Sequence, residues 1–144
     1  PTPEQDTLVV EPDALPVEDL PVEELKSKAN YRGTEINLEP TAGMRSEAKK
    51  ALAWRAEFHR GGTDVGINSA RRILSGDQLS RDLVVKMASY FARHEVDKQG
   101  EGYSPGEKGF PSAGRIAWGL WGGDAGQTWS SAKRDTLNRI DEQS

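Results

Sequence analysis

The chain has 144 residues and a mass of 15.8 kDa, a length that supports one domain and excludes two with independent cores. Apolar residues are 35% of it, charged residues 29%, and the mean hydropathy is −0.72, so the apolar supply is thin and is expected to be concentrated in one part. With no cysteine and only two histidines, His59 and His94, disulfides, thiolate metal sites, cysteine nucleophiles and multi-histidine centres are excluded.

No apolar run approaches the roughly 20 residues that span a bilayer, and the start lacks the charged-then-apolar order of a signal peptide. A soluble chain with no membrane partner, and not exported by that route, is the expectation. The net charge of −4 hides an asymmetry. Residues 1–30 carry eight acids against two bases, a net of −6, whereas residues 31–144 carry 15 acids against 17 bases, a net of +2. An acidic tail on a nearly neutral body repels polyphosphate at one end and attracts it weakly at the other, so nucleic acid is not the expected partner.

The acidic segment comes first in chain order. Five of the eight prolines and no aromatic residue fall in residues 1–30, and prolines at that density forbid a continuous helix. The spacing predicts an extended or disordered, Pro-rich acidic arm over residues 1–37 and a helical domain over 38–144. Within the arm, Pro16-Val17-Glu18-Asp19-Leu20 is followed at once by Pro21-Val22-Glu23-Glu24-Leu25, a tandem five-residue repeat. A solvated linker accounts for its charge. Leu8, Val9, Val10, Leu15, Val17, Leu20, Val22 and Leu25 are more apolar than a spacer requires, and mark a peptide that lies along a partner. Glu35-Ile36-Asn37-Leu38 has enough β character to pair briefly.

From Thr41 onward the apolar spacing becomes helical. Thr41 is placed to cap a helix to about His59, with Met44, Ala48, Ala51, Leu52, Trp54 and Phe58 recurring at three- and four-residue intervals, ended by Gly61-Gly62. Thr63 or Asp64 caps a second through Ala70, Ile73 and Leu74, stopped by Gly76. Ser80 caps a third to about Glu95, with Leu83, Val84, Met87, Ala88, Tyr90 and Phe91 on one face. Residues 97–111, with four glycines and two prolines, read as a long loop, and loops of that length usually have a job. Ser112 opens a fourth helix ending at Gly122-Gly123, and Asp124 caps a fifth carrying Trp129, Ala132, Leu137 and Ile140. The fold class is therefore all-α: a compact cluster of about five short helices with a long Gly/Pro loop, preceded by an extended acidic arm. Trp54, Phe58, Phe91, Trp118, Trp121 and Trp129 are the expected core. Trp118, Trp121 and Trp129, within twelve residues, form its hub or else a docking face.

Three constellations are candidates for chemistry. His94, beside Arg93 and Glu95, with Asp97, Glu101 and Glu107 following, has the donors for a hard metal or an acid–base pair. A histidine in a last helical turn also offsets the helix dipole, and Asp97/Lys98 reads as an ion cluster at that terminus. Arg60-Gly61-Gly62-Thr63 before a helix could offer N–H groups to a phosphate, but lacks the order of a nucleotide loop and reads more simply as a helix–turn–helix connection. Arg55, Arg60, Arg71, Arg72, Arg81, Arg93 and Arg115 can knit helices together or receive the acidic arm of a neighbouring copy. A DNA-facing stripe is the competing use, but acids interleave with them at Glu57, Asp64, Asp77, Asp82 and Glu95. No catalytic residue, metal site or cofactor is assigned.

Gly43-Met44, Leu52-Ala53-Trp54-Arg55, Arg60-Gly61-Gly62-Thr63, Ala70-Arg71, the run Phe91–Lys98, Pro111–Trp118 and Leu120–Asp124 together form an ordered pattern over residues 41–130. In this the chain resembles a small helical module encoded among the head genes of tailed bacteriophages, similar segments of which are fused to prohead-protease or portal-type proteins. The resemblance implies a virion protein, assembled in the host cytoplasm, that decorates or cements the capsid. Its partners would be the major capsid protein, other phage head proteins or copies of itself, with no enzymatic activity. A DNA-associated or nuclease-like module of head assembly or packaging, using His94, Asp97 and the arginines, is the alternative. A scaffold differs from a decoration protein in being lost from mature particles.

Overall fold

The computed structural model describes residues 29–143, and among them the elements are a small hairpin followed by five helices. The hairpin pairs β1 (Ala29–Tyr31) with β2 (Thr34–Ile36), antiparallel, with Tyr31 opposite Thr34. Its two-residue turn puts Arg32 at φ 52° and Gly33 at φ 81°, the double positive-φ geometry that matches strand twist. A hairpin this short does not stand alone in water. It is held because Ile36 and the following Leu38 are buried in the helical core, and Tyr31 packs against the same core. Among the described residues the body thus includes nine positions before 38, in a stretch the proline-based reading assigned to the arm. The pairing expected near Glu35–Leu38 is present over Thr34–Ile36.

The helices are α1 (Ala42–Phe58), α2 (Asp64–Ser75), α3 (Arg81–His94), α4 (Ala113–Leu120) and α5 (Gly123–Gln143), with a 3₁₀ turn at Glu95–Gln99. Four start as their sequences dictate. The hydroxyls of Thr41, Thr63, Ser80 and Ser112 accept the N–H of Met44, Gly66, Leu83 and Arg115, pairing donors that a helix start otherwise leaves orphaned. The fifth differs from expectation. α5 begins at Gly123, so Asp124 lies inside its first turn instead of capping it, where its charge still favours the N-terminus.

α1 packs on α2 and α4, and α3 packs along α5. The core takes Met44, Ala48 and Ala51 from α1, Ala70 and Ile73 from α2, Val84, Met87 and Phe91 from α3, Trp118 and Leu120 from α4, and Leu137 from α5. Trp118 is 1% exposed, so the tryptophan cluster is a hub and not a docking face. Its ring meets Phe91 edge-on at 4.7 Å, and Tyr90 stacks on Trp121 at 5.0 Å. Trp129 is also buried. Trp54 and Phe58 are not in this core but half-buried at its edge. The second half of α1 passes beyond the buried face, and Trp54 instead meets Phe110 of the long loop at 5.5 Å. Among the described residues, no helix is long and apolar enough to cross a membrane.

Candidate functional site

The long segment between α3 and α4 is fastened to the body by side chains of α4, α5 and the α1–α2 connection. Lys98 bonds Asp124 at 2.9 Å and Glu95 at 3.5 Å, and its ammonium lies 4.7 Å above the Trp118 ring. Asp124 in turn accepts the Trp118 indole N–H at 2.9 Å, the polar partner that a buried tryptophan needs. The Glu107 carboxylate accepts the N–H groups of Gly102 and Ser104, closing the loop on itself. Arg60 donates to the carbonyls of Gly109 and Pro111 from the α1–α2 connection. Arg60-Gly61-Gly62-Thr63 is therefore a clamp and a turn: its arginine is occupied by loop carbonyls and its glycines lie under Ile116 and Leu120 of α4.

Beneath the loop, Glu47, Tyr103, Arg115, Trp118 and Asp124 line a cleft of about 390 Å³. Arg115 donates to Glu47 at 2.8 Å, is only 14% exposed, and lies over the rings of Trp54 and Tyr103. Lys50 reaches the other Glu47 oxygen at 2.9 Å. Burial pushes the Glu47 carboxyl up, but the hydrogen bonds from Lys50 and Arg115 outweigh it and hold the group below the usual carboxylate range. Asp124 follows the same balance, with burial opposed by Lys98 and Trp118. Burial pushes the Tyr103 phenol up to about 12. Carboxylates held in their ionised form by two donors are poor proton donors near neutral pH.

A stability consequence follows from Glu47. A depressed folded value stabilises the protein above the ordinary value of 4.5, and that stabilisation is lost as pH falls through the lower folded one. Glu47→Gln is expected to lower stability by about 1–3 kcal/mol at pH 7, where it leaves Arg115 without its carboxylate. The difference from the unmodified chain should shrink at pH 3, and urea midpoints at the two pH values check it.

His94 Nδ1 lies 3.0 Å from Asp97 Oδ2, and the imidazole stacks on Tyr90 at 4.5 Å. Glu107 faces its own loop, Glu95 pairs with Lys98 and Glu101 is exposed, so the candidate donors do not converge. Among the described residues, no group of three histidine or carboxylate side chains is placed to hold a metal ion.

The arginines divide by task. Arg55 Nε donates to the Gly61 carbonyl, bracing the α1–α2 connection. Arg81 donates to the Tyr31 hydroxyl at 3.1 Å, and that hydroxyl donates to Asp141 of α5 at 2.6 Å. Arg32 pairs with the same aspartate at 2.9 Å. The hydrogen bond from Tyr31, helped by both cations, holds the Asp141 carboxyl below its ordinary range. Arg71 lines a groove between α1 and α2, Arg72 lies in the last turn of α2, and Arg93 is exposed in the last turn of α3.

Sequence reasoning missed Tyr31 and Asp141, which tie the hairpin to the end of α5, and the Glu47–Arg115 pair. The signal for the hairpin was local: tyrosine and threonine flanking a two-residue Arg-Gly turn. The eight apolar arm positions from Leu8 to Leu25 lie outside the described residues. No family model matches the chain, and no curated protein or solved structure matches it either.

Proposed function

We propose that this chain is a non-enzymatic attachment protein of a tailed-phage head, decorating or cementing the shell through its helical body and its acidic, apolar N-terminal segment. The observation that carries this reading is the way the charges of the cleft are engaged. Glu47 pairs with Arg115 between α1 and α4, and Asp124 of α5 holds Trp118 and Lys98, each contact fixing one element to another, as suits a rigid docking bead. The N-terminal segment adds an attachment chemistry of its own: eight branched apolar side chains set among acids, usable in many copies on a repeating surface. The phage setting rests on the resemblance over residues 41–130.

The test is co-sedimentation of the purified chain with empty head shells assembled from the major capsid protein of the same phage. Full-length protein is expected to saturate the shells. Removing residues 1–28 should weaken binding at least tenfold while the helical circular dichroism is kept. Undiminished occupancy after truncation would overturn the role given to the segment. Steeply salt-dependent DNA binding, or metal-dependent cleavage abolished by His94→Ala, would replace the reading with a nuclease-like one.

A further inference from the structure

Between the second half of α1 and the first half of α2 runs an open groove of about 650 Å³. Leu52, Ala56 and Ile67 supply its apolar surface, and Arg55 and Arg71 flank it with Asp64 at one end. The fully buried apolar side chains of the two helices are Met44, Ala48, Ala51, Ala70 and Ile73, while Leu52 and Ile67 are only partly buried against them. The groove thus combines an apolar strip with guanidinium walls, the surface that an extended peptide of alternating apolar and acidic residues complements.

Such a peptide exists in the same chain. Pro16–Leu25 holds Val17, Leu20, Val22 and Leu25 among four acids and no base. Laid out as a polyproline helix, one five-residue repeat covers about 15 Å. The groove follows α2 from Asp64 to Arg71, about 10 Å of helix axis. Reach favours the chain's own segment over that of a neighbour. Nine peptide units separate Leu20 from Ala29, enough for about 30 Å, against a radius of gyration of about 13 Å for a body of this size. An occupant tethered that closely acts at an effective concentration of order millimolar.

We propose that one five-residue unit of the Pro16–Leu25 repeat docks into the α1–α2 groove of its own body, its valine and leucine on Leu52, Ala56 and Ile67 and its acids toward Arg55 and Arg71. The inference stands on the groove and on the composition of the repeat, independently of what the protein attaches to. Docked, the apolar side chains of the segment are kept from self-association until a stronger surface displaces them.

Because the chain has no cysteine, a single Ala14→Cys substitution takes one nitroxide label beside the repeat. In the full-length labelled protein, the backbone amide signals of Ile67 and Arg71 are expected to broaden, to the same degree at every protein concentration. Reversing Glu18, Asp19, Glu23 and Glu24 to lysine should abolish that broadening without touching the body. Adding Arg71→Glu to the reversed chain should restore it in part. Broadening that survives the reversal, or spreads evenly over the surface, overturns the proposal. Broadening that appears only when ¹⁵N-labelled, nitroxide-free protein is mixed with spin-labelled protein assigns the groove to a neighbouring copy, and likewise overturns it.

Discussion

Trp118→Ala is expected to cost about 3–5 kcal/mol, a large part of the 5–15 kcal/mol that holds a domain folded. The side chain is 1% exposed and meets Phe91 and Tyr90, so truncation leaves a cavity that aromatic neighbours are slow to fill. The loss does not stop at packing. The indole N–H is a ligand of Asp124, and the Lys98 ammonium sits over the ring while bonding that same carboxylate. Removing the indole therefore loosens the 3₁₀ turn and the loop behind it as well as α4. A drop in melting temperature of at least about 10 °C follows from that energy in a body of this size. Trp118→Phe, which keeps an aromatic ring but loses the pyrrole part with its N–H, should cost less and shift the loop along with α4. Thermal unfolding of both variants, with amide exchange over residues 95–111, separates the two contributions.

The all-helical architecture was legible because its determinants are local. A hydroxyl at Thr41, Thr63, Ser80 or Ser112 caps the helix that follows it within three residues, whatever the rest of the chain does. The burial of Trp118 was legible too, since large rings at helical spacing in a chain short of apolar residues have few other uses. What could not be read depends on partners far away in sequence. Glu47 and Arg115 are separated by 68 positions, and Tyr31 and Asp141 by 110. Periodicity places Trp54 and Phe58 on the same face as Met44, yet says nothing of where the neighbouring helix ends, and so they fall at the rim beside Phe110 and Arg60. The short strands at 29–36 carry too little pattern to outweigh the prolines before them. Their pairing is stabilised by burial of Ile36 and Leu38 in a core built from later residues. The groove between α1 and α2 is legible only in retrospect. Leu52 reads as one more core position, and Arg55 and Ile67 as ordinary helix residues, until the two helices are set side by side.

Gly61→Ala is expected to be the costliest glycine substitution at the α1–α2 connection, about 2–5 kcal/mol, and its cause lies in α4 instead of in any ligand. Gly61 has φ +94°, a region that side chains avoid, and a Cβ there would fall 2.6 Å from Ile116 Cβ and 3.0 Å from the Ala113 carbonyl. Both obstacles are rigid: one is the branch point of a fully buried isoleucine and the other is backbone at a helix start. Relief would require α4 to move away from the connection, disturbing the Arg60 hydrogen bonds to Pro111 in the process. Gly33 provides the control. Its φ of +81° is comparable, but nothing lies within 4 Å of its hypothetical Cβ, so Gly33→Ala carries only the conformational term of about 1–2 kcal/mol. Subtracting the two costs, measured by urea unfolding, isolates the clash with α4, expected in the range of about 1–3 kcal/mol for overpacking. Equal losses would mean that α4 yields freely. A phosphate-cradling role for Arg60-Gly61-Gly62-Thr63 predicts something else: unfolding that inorganic phosphate shifts in the unmodified protein and not in Gly61→Ala. With the guanidinium of Arg60 already hydrogen-bonded to loop carbonyls, no such phosphate dependence is expected.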